Sequence, residues 1–374
     1  MINKIAEIDS NFRITNDIPK NITWMEAYDG PFEINGLYKP KKLKKYTRLP
    51  DRFKTDLTVN EGVRRLIHHT AGGRIRFSTN SPYVAVMVEV SDIEVPRFMT
   101  ACGQSGIDFY MCKKGSSNYQ FRRSFSPCAI SSNEDRFYTG IAYFKDYDLS
   151  ENDEFEVMLN LPLYNGINSI KIGVMDGSKI SKPQEYSIKK PICFYGASIT
   201  QGGCASRPGN NYPNHIARWL NLDFINLGFS GSARGEFALA DFMADMNISA
   251  LVVDMDMSIN DIELFKNTHY AFYEYIRSKN KDLPLIFMSM AKFPKIDIHS
   301  EKFRNYAQSR QIIIDTIKKG IEKGDKNLYY IEGEELFGDS CQDSCTVDFC
   351  HPNDLGFFRM AERILPVIKE VLKI

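Results

Sequence analysis

The side chains best suited to chemistry lie in two short segments far apart in the chain. Ser198 stands in the sequence YGASITQGG, directly after an apolar run that has the character of a buried strand. Asp348 precedes His351 in the sequence DFCHP, just ahead of the last amphipathic segment. At this spacing a carboxylate can accept a hydrogen bond from imidazole Nδ1–H, which leaves Nε2 free to take the serine proton. Each segment alone also fits a turn or a helix cap, but the pair predicts a nucleophile, a base and an orienting carboxylate for acyl transfer.

The elements that would position these residues alternate between apolar runs and amphipathic segments. The runs that predict buried parallel strands are 192–195, 224–227, 250–254, 283–288 and 328–331. The segments that predict helices are 212–220, 237–246, 262–278, 303–323 and 355–372. Strands that alternate with helices are typical of a doubly wound parallel sheet, whose sites lie at the carboxyl ends of its strands. Ser198 and the loop that carries Asp348 and His351 would then face the same crevice.

The first half of the chain has a different pattern. Short runs rich in β-branched and aromatic residues are separated by turn-forming residues, at 73–78, 83–90, 106–112, 155–161 and 169–174. Such runs, with no convincing helix among them, predict an all-β sandwich of the jelly-roll kind. We therefore expect a β-sandwich domain over residues 1–185 and an α/β domain with a doubly wound parallel sheet over residues 186–374. The polar stretch 181–190 marks the boundary.

Composition and charge argue against several other classes of protein. Lys plus Arg equals Asp plus Glu at 47 each, so no global field would attract nucleic acid or an anionic membrane. No stretch approaches the roughly 18 consecutive apolar residues of a membrane span. The N-terminus lacks the apolar core of a secretory leader, so we expect a cytoplasmic protein. The eight cysteines are scattered and do not form the framework of a small disulfide scaffold.

Two other kinds of site can be weighed against the sequence. Cys341, Cys345 and Cys350 lie close to His351, but the spacing C-x3-C-x4-C-H lacks the C-x2-C pair of a structural zinc site. A glycine pair follows the first predicted strand of the second half, but neither a GxGxxG pattern nor a Walker lysine accompanies it. The sequence thus predicts no metal and no nucleotide or other organic cofactor.

The second half resembles the SGNH (GDSL-like) hydrolase family in three blocks, GASITQGGCASRPG, NLGFSGSARGE and DFCHPNDLGFFRMA. The first half resembles the β-sandwich domain of the family's two-domain branch in the segments RLIHHTAGGRIRFSTNSPY, GIDFYM and NLPLYNGINSIKIGV. The likeness runs from about Trp24 to the C-terminus. It implies that Ser198 is the nucleophile and that Asp348 and His351 complete its triad.

The resemblance also implies an oxyanion hole, a set of donors aimed at an oxygen that becomes negative in the transition state. The N–H groups of Ser198 and Gly231 match the family's first two donors. The third donor of the family is an asparagine after the third strand, and here the sequence departs from the pattern. An ungapped comparison puts Ser258 at that place, and Asn260 follows two residues later. Either Ser258 donates through its hydroxyl, or the loop shifts and Asn260 serves, or the third donor is weaker.

The function implied by the resemblance is a serine esterase that removes a short acyl group, acetyl above all, from a hydroxylated small molecule or oligosaccharide. Two alternatives stay open, an acyltransferase with the same triad and a catalytically silent sugar-binding protein. Arg207 and Arg234 flank the first two blocks and could contact substrate, or each could hold its own loop by hydrogen bonds. His269 lies in a predicted helix and is expected at the surface or at a cap. The sequence indicates no particular oligomeric state.

Overall fold

The computed structural model describes residues 8–9, 18–92, 96–127, 133–144, 153–259, 261–291 and 301–374. Within these residues the first half contains ten strands: β1 (Ile22–Glu26), β2 (Glu33–Asn35), β3 (Arg74–Thr79), β4 (Tyr83–Val90), β5 (Ile107–Lys113), β6 (Gln120–Phe125), β7 (Phe137–Tyr143), β8 (Phe155–Asn160), β9 (Ile167–Met175) and β10 (Ile180–Ser181). One antiparallel sheet has the order β1-β9-β4-β7, and the other has the order β10-β3-β8-β5-β6 with β2 paired to β3. A single apolar core lies between them. The predicted β-sandwich is confirmed.

Strand β3 departs from a simple alternation of buried and exposed residues. Ile75 and Phe77 face the sandwich core, as their spacing predicts. Arg74 and Arg76 on the opposite face are also buried, each only 1% exposed. The Arg74 guanidinium pairs with Asp223 of the second half and lies 3.9 Å from the centre of the Phe224 ring. The outer face of this sheet is therefore an interdomain surface and not a solvated one.

Three short helices of the first half were not evident from the sequence: α1 (Pro40–Leu43), α2 (Glu61–Leu66) and α3 (Ala101–Ser105). The segment around α2 leaves the sandwich and packs into the core of the second half. Its apolar residues Leu49, Phe53, Val63 and Ile67 are fully buried there. Packing therefore crosses the proposed boundary at residue 185, although β10 ends at Ser181 and the next sheet begins at residue 188.

The second half forms a five-stranded parallel sheet in the order β12-β11-β13-β14-β15. Its strands are β11 (Ile188–Gly196), β12 (Leu222–Gly228), β13 (Ala250–Asp254), β14 (Leu285–Met288) and β15 (Leu328–Ile331). Its helices are α4 (Ser198–Gln201), α5 (Tyr212–Leu220), α6 (Phe237–Ala244), α7 (Ile262–Lys279), α8 (Glu301–Glu322) and α9 (Asp354–Leu372). The chain order reverses at β11, which is the switch point where sites form in such sheets.

Both faces of the parallel sheet are covered, so its strands are apolar without alternation. In β11, Ile192 and Phe194 face a core shared with α5 and α9, whereas Cys193 and Tyr195 face a core shared with α6 and α7. Helix α9 begins after Asn353, whose side chain accepts a hydrogen bond from a backbone N–H of the first turn. The predicted doubly wound α/β fold is confirmed.

His269 does not lie at the surface, and that expectation is wrong. It is 1% exposed, and its Nδ1 lies 2.8 Å from Thr316 Oγ1 between α7 and α8. Burial lowers the pKa of His269 to about 3, so the ring is neutral at ordinary pH. None of the helices in the described ranges has both the length and the apolar character needed to cross a membrane.

Candidate active site

Ser198, His351 and Asp348 meet at the carboxyl end of the parallel sheet. Ser198 is the first residue of α4, directly after β11. Its Oγ lies 2.9 Å from His351 Nε2, and His351 Nδ1 lies 2.8 Å from Asp348 Oδ2. The structure thus brings together the three residues predicted as a triad, with both ring nitrogens of His351 in use.

The loop between β15 and α9 fixes the base and its carboxylate. Asp348 Oδ1 accepts hydrogen bonds from the backbone N–H groups of Cys350 at 3.0 Å and of His351 at 2.7 Å. Partial burial alone would raise the pKa of the Asp348 carboxyl, but its hydrogen bonds from the backbone and ring of His351 outweigh burial and lower it. This tight turn holds Phe349 at a φ of 61°, in the left-handed region, and the residue is 58% exposed.

The start of α4 is tied to the neighbouring strand β13. The Ala197 N–H donates to the Asp254 carbonyl at 3.1 Å, and the Thr200 hydroxyl donates to Asp254 Oδ2 at 2.9 Å. Ser198 itself is only 7% exposed. The nucleophile therefore sits on a rigid element, as a site built for a defined geometry requires.

Gly231 lies in the tight turn that follows β12. The turn is closed by a hydrogen bond from Ser232 N–H to the Phe229 carbonyl at 2.8 Å, and Gly231 has a φ of 62°. No acceptor within the described ranges takes the Gly231 N–H. A free backbone donor at the carboxyl end of β12, the strand paired with β11, fits an oxyanion donor, which is the role that the resemblance implies.

Ser258 lies at the end of a short 3-10 turn, Asp256–Ser258, after β13. Its Oγ accepts a hydrogen bond from the Ala233 N–H at 3.1 Å, so it is tied to the segment that carries Gly231. The hydroxyl proton remains able to donate to another oxygen. Asn260, the alternative third donor, lies outside the described residues.

The two arginines have different surroundings. Arg207 donates to Asp108 Oδ2 at 2.9 Å and to the Tyr110 hydroxyl, and its guanidinium lies 3.9 Å from the centre of the Phe121 ring. It thus binds its own loop to the sandwich domain, which is the second of the two roles considered for it. Arg234 is exposed, and its contact with a substrate stays a prediction.

The zinc site against which the cysteine spacing argues also finds little support in the geometry of its residues. Cys345 is buried and Cys341 is exposed, while the nitrogens of His351 already face Ser198 and Asp348. In the described part of the chain, a different group of three residues has histidine nitrogens and a carboxylate oxygen within 4.8 Å of one another. This set is His68, His69 and Asp92, on the sandwich side of the site.

A cavity of about 500 Å³ lies between the two domains beside the predicted oxyanion turn. Its walls include Arg65, His68, His69, Asp92, Tyr164 and Ser230. The Tyr164 hydroxyl also donates to the Ser198 carbonyl at 3.2 Å. The sequence analysis missed these residues of the first half, although all of them except Asp92 lie in the segments RLIHHTAGG and NLPLYNG, which are part of the resemblance.

Comparisons with known proteins find similarity along nearly the whole chain. Residues 189–369 match the model of the GDSL-like lipase/acylhydrolase family, and residues 22–180 match the N-terminal domain of SGNH-hydrolase-type esterases. A GDSL-like lipase structure from Bacteroides ovatus is 28% identical, with a TM-score of 0.79 over 94% of this chain and 98% of that one. No curated protein matches the sequence.

More distant structures share the fold. A salicylyl-acyltransferase from a tetracycline biosynthetic pathway is 17% identical, with a TM-score of 0.72 over 95% of this chain and 98% of its own. An acetyl xylan esterase from Butyrivibrio proteoclasticus is 13% identical, with a TM-score of 0.58 over 94% and 99%. The two family matches follow one another along nearly the whole chain, and the chain belongs to the two-domain SGNH (GDSL-like) hydrolase family, a family of ester hydrolases.

Proposed function

We propose that the chain is a serine esterase that hydrolyses a short acyl ester, acetyl above all, of a hydroxylated substrate of the carbohydrate class. The proposal is supported chiefly by the hydrogen bonds from Ser198 Oγ to His351 Nε2 and from His351 Nδ1 to Asp348, at 2.9 and 2.8 Å. These are the contacts that acyl transfer through a serine requires.

In the proposed reaction, His351 Nε2 takes the proton of Ser198 Oγ as this oxygen attacks the acyl carbon. The carbonyl oxygen becomes negative and is stabilised by the N–H groups of Ser198 and Gly231, with the Ser258 hydroxyl as third donor. His351 then protonates the departing alcohol, which leaves an acyl-enzyme. A water molecule gives its proton to His351 and attacks the acyl carbon, and the carboxylic acid leaves as Ser198 regains its proton.

Asp348 orients the base and stabilises its protonated form. Its lowered pKa keeps the carboxylate ionised at neutral pH, so that it accepts from Nδ1–H and selects the tautomer with Nε2 free. The backbone N–H groups of Cys350 and His351 hold this carboxylate in place.

Two features favour hydrolysis of a small acyl group. Ser198 is 7% exposed, so a small acyl group reaches Oγ more easily than a long chain. Proteins with this fold include both an acetyl xylan esterase and a salicylyl-acyltransferase, so the acceptor of the acyl group has to be argued from the site itself. Transfer to an alcohol needs a pocket that excludes water. The cavity beside the site is lined by charged groups such as Arg65 and Asp92, which favours water as acceptor.

The test is a screen of acetylated sugars and of p-nitrophenyl esters of increasing acyl length, with Ser198→Ala as the matched control. We expect acetyl esters to be the best substrates and Ser198→Ala to lower hydrolysis by about a thousandfold or more. More than roughly a tenth of the activity in Ser198→Ala would refute the nucleophile. Preferential transfer of the acyl group to an added sugar would support the acyltransferase alternative.

A further inference from the structure

His68, His69 and Asp92 meet on the wall of the interdomain cavity. Two histidines and a carboxylate can hold a divalent cation such as Zn²⁺, or they can form a fixed set of hydrogen bonds. The proton on His69 distinguishes these possibilities, because a nitrogen that binds a metal carries no proton.

The carboxamide of Gln201, at the end of α4, determines where that proton lies. Gln201 Oε1 accepts from the Ser230 backbone N–H at 3.0 Å, and Gln201 Nε2 donates to the Leu163 carbonyl at 3.0 Å. Each of these backbone groups has only one possible role, so the orientation of the amide is fixed. Its second N–H faces His69 Nδ1 at 3.1 Å, and Nδ1 must therefore be the acceptor.

A neutral imidazole that accepts at Nδ1 carries its proton on Nε2. His69 Nε2 lies 3.4 Å from Asp92 Oδ2, and the same oxygen lies 2.7 Å from His68 Nε2. A metal on His69 Nε2 would force the proton onto Nδ1, against the N–H of Gln201. Burial lowers the pKa of His69 to about 4, against the opposing effect of Asp92, so the neutral ring persists at neutral pH.

Both ends of this arrangement are held by other contacts. The Asp92 N–H donates to Asn165 Oδ1 at 2.8 Å, and Asn165 Nδ2 donates back to the Asp92 carbonyl at 2.9 Å. His69 is 8% exposed and Gln201 is fully buried. A chain of contacts thus runs from the anchored Asp92 carboxylate of the sandwich domain through His69 and Gln201 to the backbone of Ser230.

We propose that His69 and Gln201 are positioning residues for the oxyanion turn, an inference that rests on the proposed function. Gln201 fixes the peptide N–H of Ser230, one residue ahead of Gly231, and His69 in turn fixes Gln201. The sandwich domain thereby sets the direction of a donor that acts in the transition state. Displacement of such a group by about 1 Å can cost on the order of a hundredfold in rate.

Two variants of His69 separate the acceptor from the rest of the ring. His69→Asn can place Oδ1 where Nδ1 was and keep an acceptor for Gln201, whereas His69→Gln keeps a polar group only near the Nε2 position. We expect His69→Gln to lower kcat for p-nitrophenyl acetate about tenfold to a hundredfold with little change in KM. His69→Asn should retain most of kcat. His269→Gln is the control, since His269 is also a buried neutral histidine but lies between α7 and α8 and has no contact with Gln201 among the described residues.

Melting temperatures of the three variants show whether each variant still folds. A variant that melts like the wild type but has a lower kcat has lost the alignment of the oxyanion turn and not its fold. The ¹⁵N spectrum of the histidine side chains is a second readout that does not depend on activity, and we expect His69 to be protonated at Nε2 at pH 7. Wild-type kcat in His69→Gln, an equal loss in His269→Gln, or an Nδ1–H tautomer would each overturn the inference. So would stoichiometric zinc whose removal lowers kcat. Absence of any ester hydrolysis by the wild type would instead refute the proposed function, while the spectrum still reports the tautomer.

Discussion

Replacement of Arg207 by methionine should destabilise the fold while the active-site groups remain in place. Asp108, its partner, is fully buried, and among the described residues its carboxylate would keep two donors without the guanidinium, Asn160 Nδ2 and Gly209 N–H, both at 2.7 Å. Loss of one partner of a buried ion pair costs about 3–5 kcal/mol. The two remaining donors and the partial exposure of Arg207 point to the lower end, about 3 kcal/mol in free energy of unfolding.

The pH dependence of this loss follows from the carboxyl of Asp108. Burial already raises its pKa in the wild type, even with Arg207 opposing that effect. Because Arg207 opposes this rise, its loss raises the pKa of Asp108 further. A group whose pKa is raised in the folded state contributes stability at low pH, and this contribution is lost as pH rises through the folded-state pKa. The deficit of Arg207→Met should therefore be smaller at pH 5 than at pH 8.

Urea unfolding followed by far-UV circular dichroism measures the effect, with Arg234→Met as the exposed control, expected within about 0.5 kcal/mol of wild type. Asp108→Asn together with Arg207→Met should recover part of the loss, since a neutral amide needs no cation. A wild-type unfolding curve for Arg207→Met, combined with a tenfold rise in KM, would show that Arg207 binds substrate and that the interdomain role is wrong.

Three further perturbations test other parts of the site. Ser258→Ala should lower kcat by the equivalent of about 2.7–4 kcal/mol if its hydroxyl is the third oxyanion donor, and unchanged turnover in steady-state assays would exclude it. Phe349→Gly should raise the free energy of unfolding by up to about 1 kcal/mol, because glycine adopts a left-handed φ without penalty and the exposed ring packs little; a lower urea midpoint would contradict this. The fragment Lys190–Ile374 should be unstable or aggregate on expression, because it lacks the buried segment around α2; a soluble fragment with a cooperative melting transition and full activity would show that the first half is dispensable.

The predicted strands and the missed strands occupy different positions in the sheets. In the sandwich, the predicted strands β3, β4, β5, β8 and β9 are interior strands. The missed strands β1, β6, β7 and β10 lie at sheet edges, and β2 pairs with β3 alone. An edge strand has one neighbour and can keep polar residues, so backbone pairing holds it without an apolar pattern. In the parallel sheet every strand is covered on both faces, and all five were evident.

In the active site, too, some residues could be predicted from the sequence and others could not. Ser198, Asp348 and His351 could be predicted because their chemistry depends on residue type and on short spacings within two loops. His69 could not, since its role arises from a contact with Gln201 that is 132 positions away in the chain. That contact depends on how the two domains pack, which no local pattern encodes.

The burial of the segment around α2 in the second half has a consequence for synthesis of the protein. Leu49, Phe53 and Val63 leave the ribosome long before Leu239, one of the residues with which they share a core. At about 5–20 residues per second, the segment would wait roughly 10–35 s for that partner. During this interval its apolar side chains have no native cover, and the nascent chain would be most prone to aggregation and to binding by chaperones. The core that the segment shares with the second half can be completed only after most of that half has emerged.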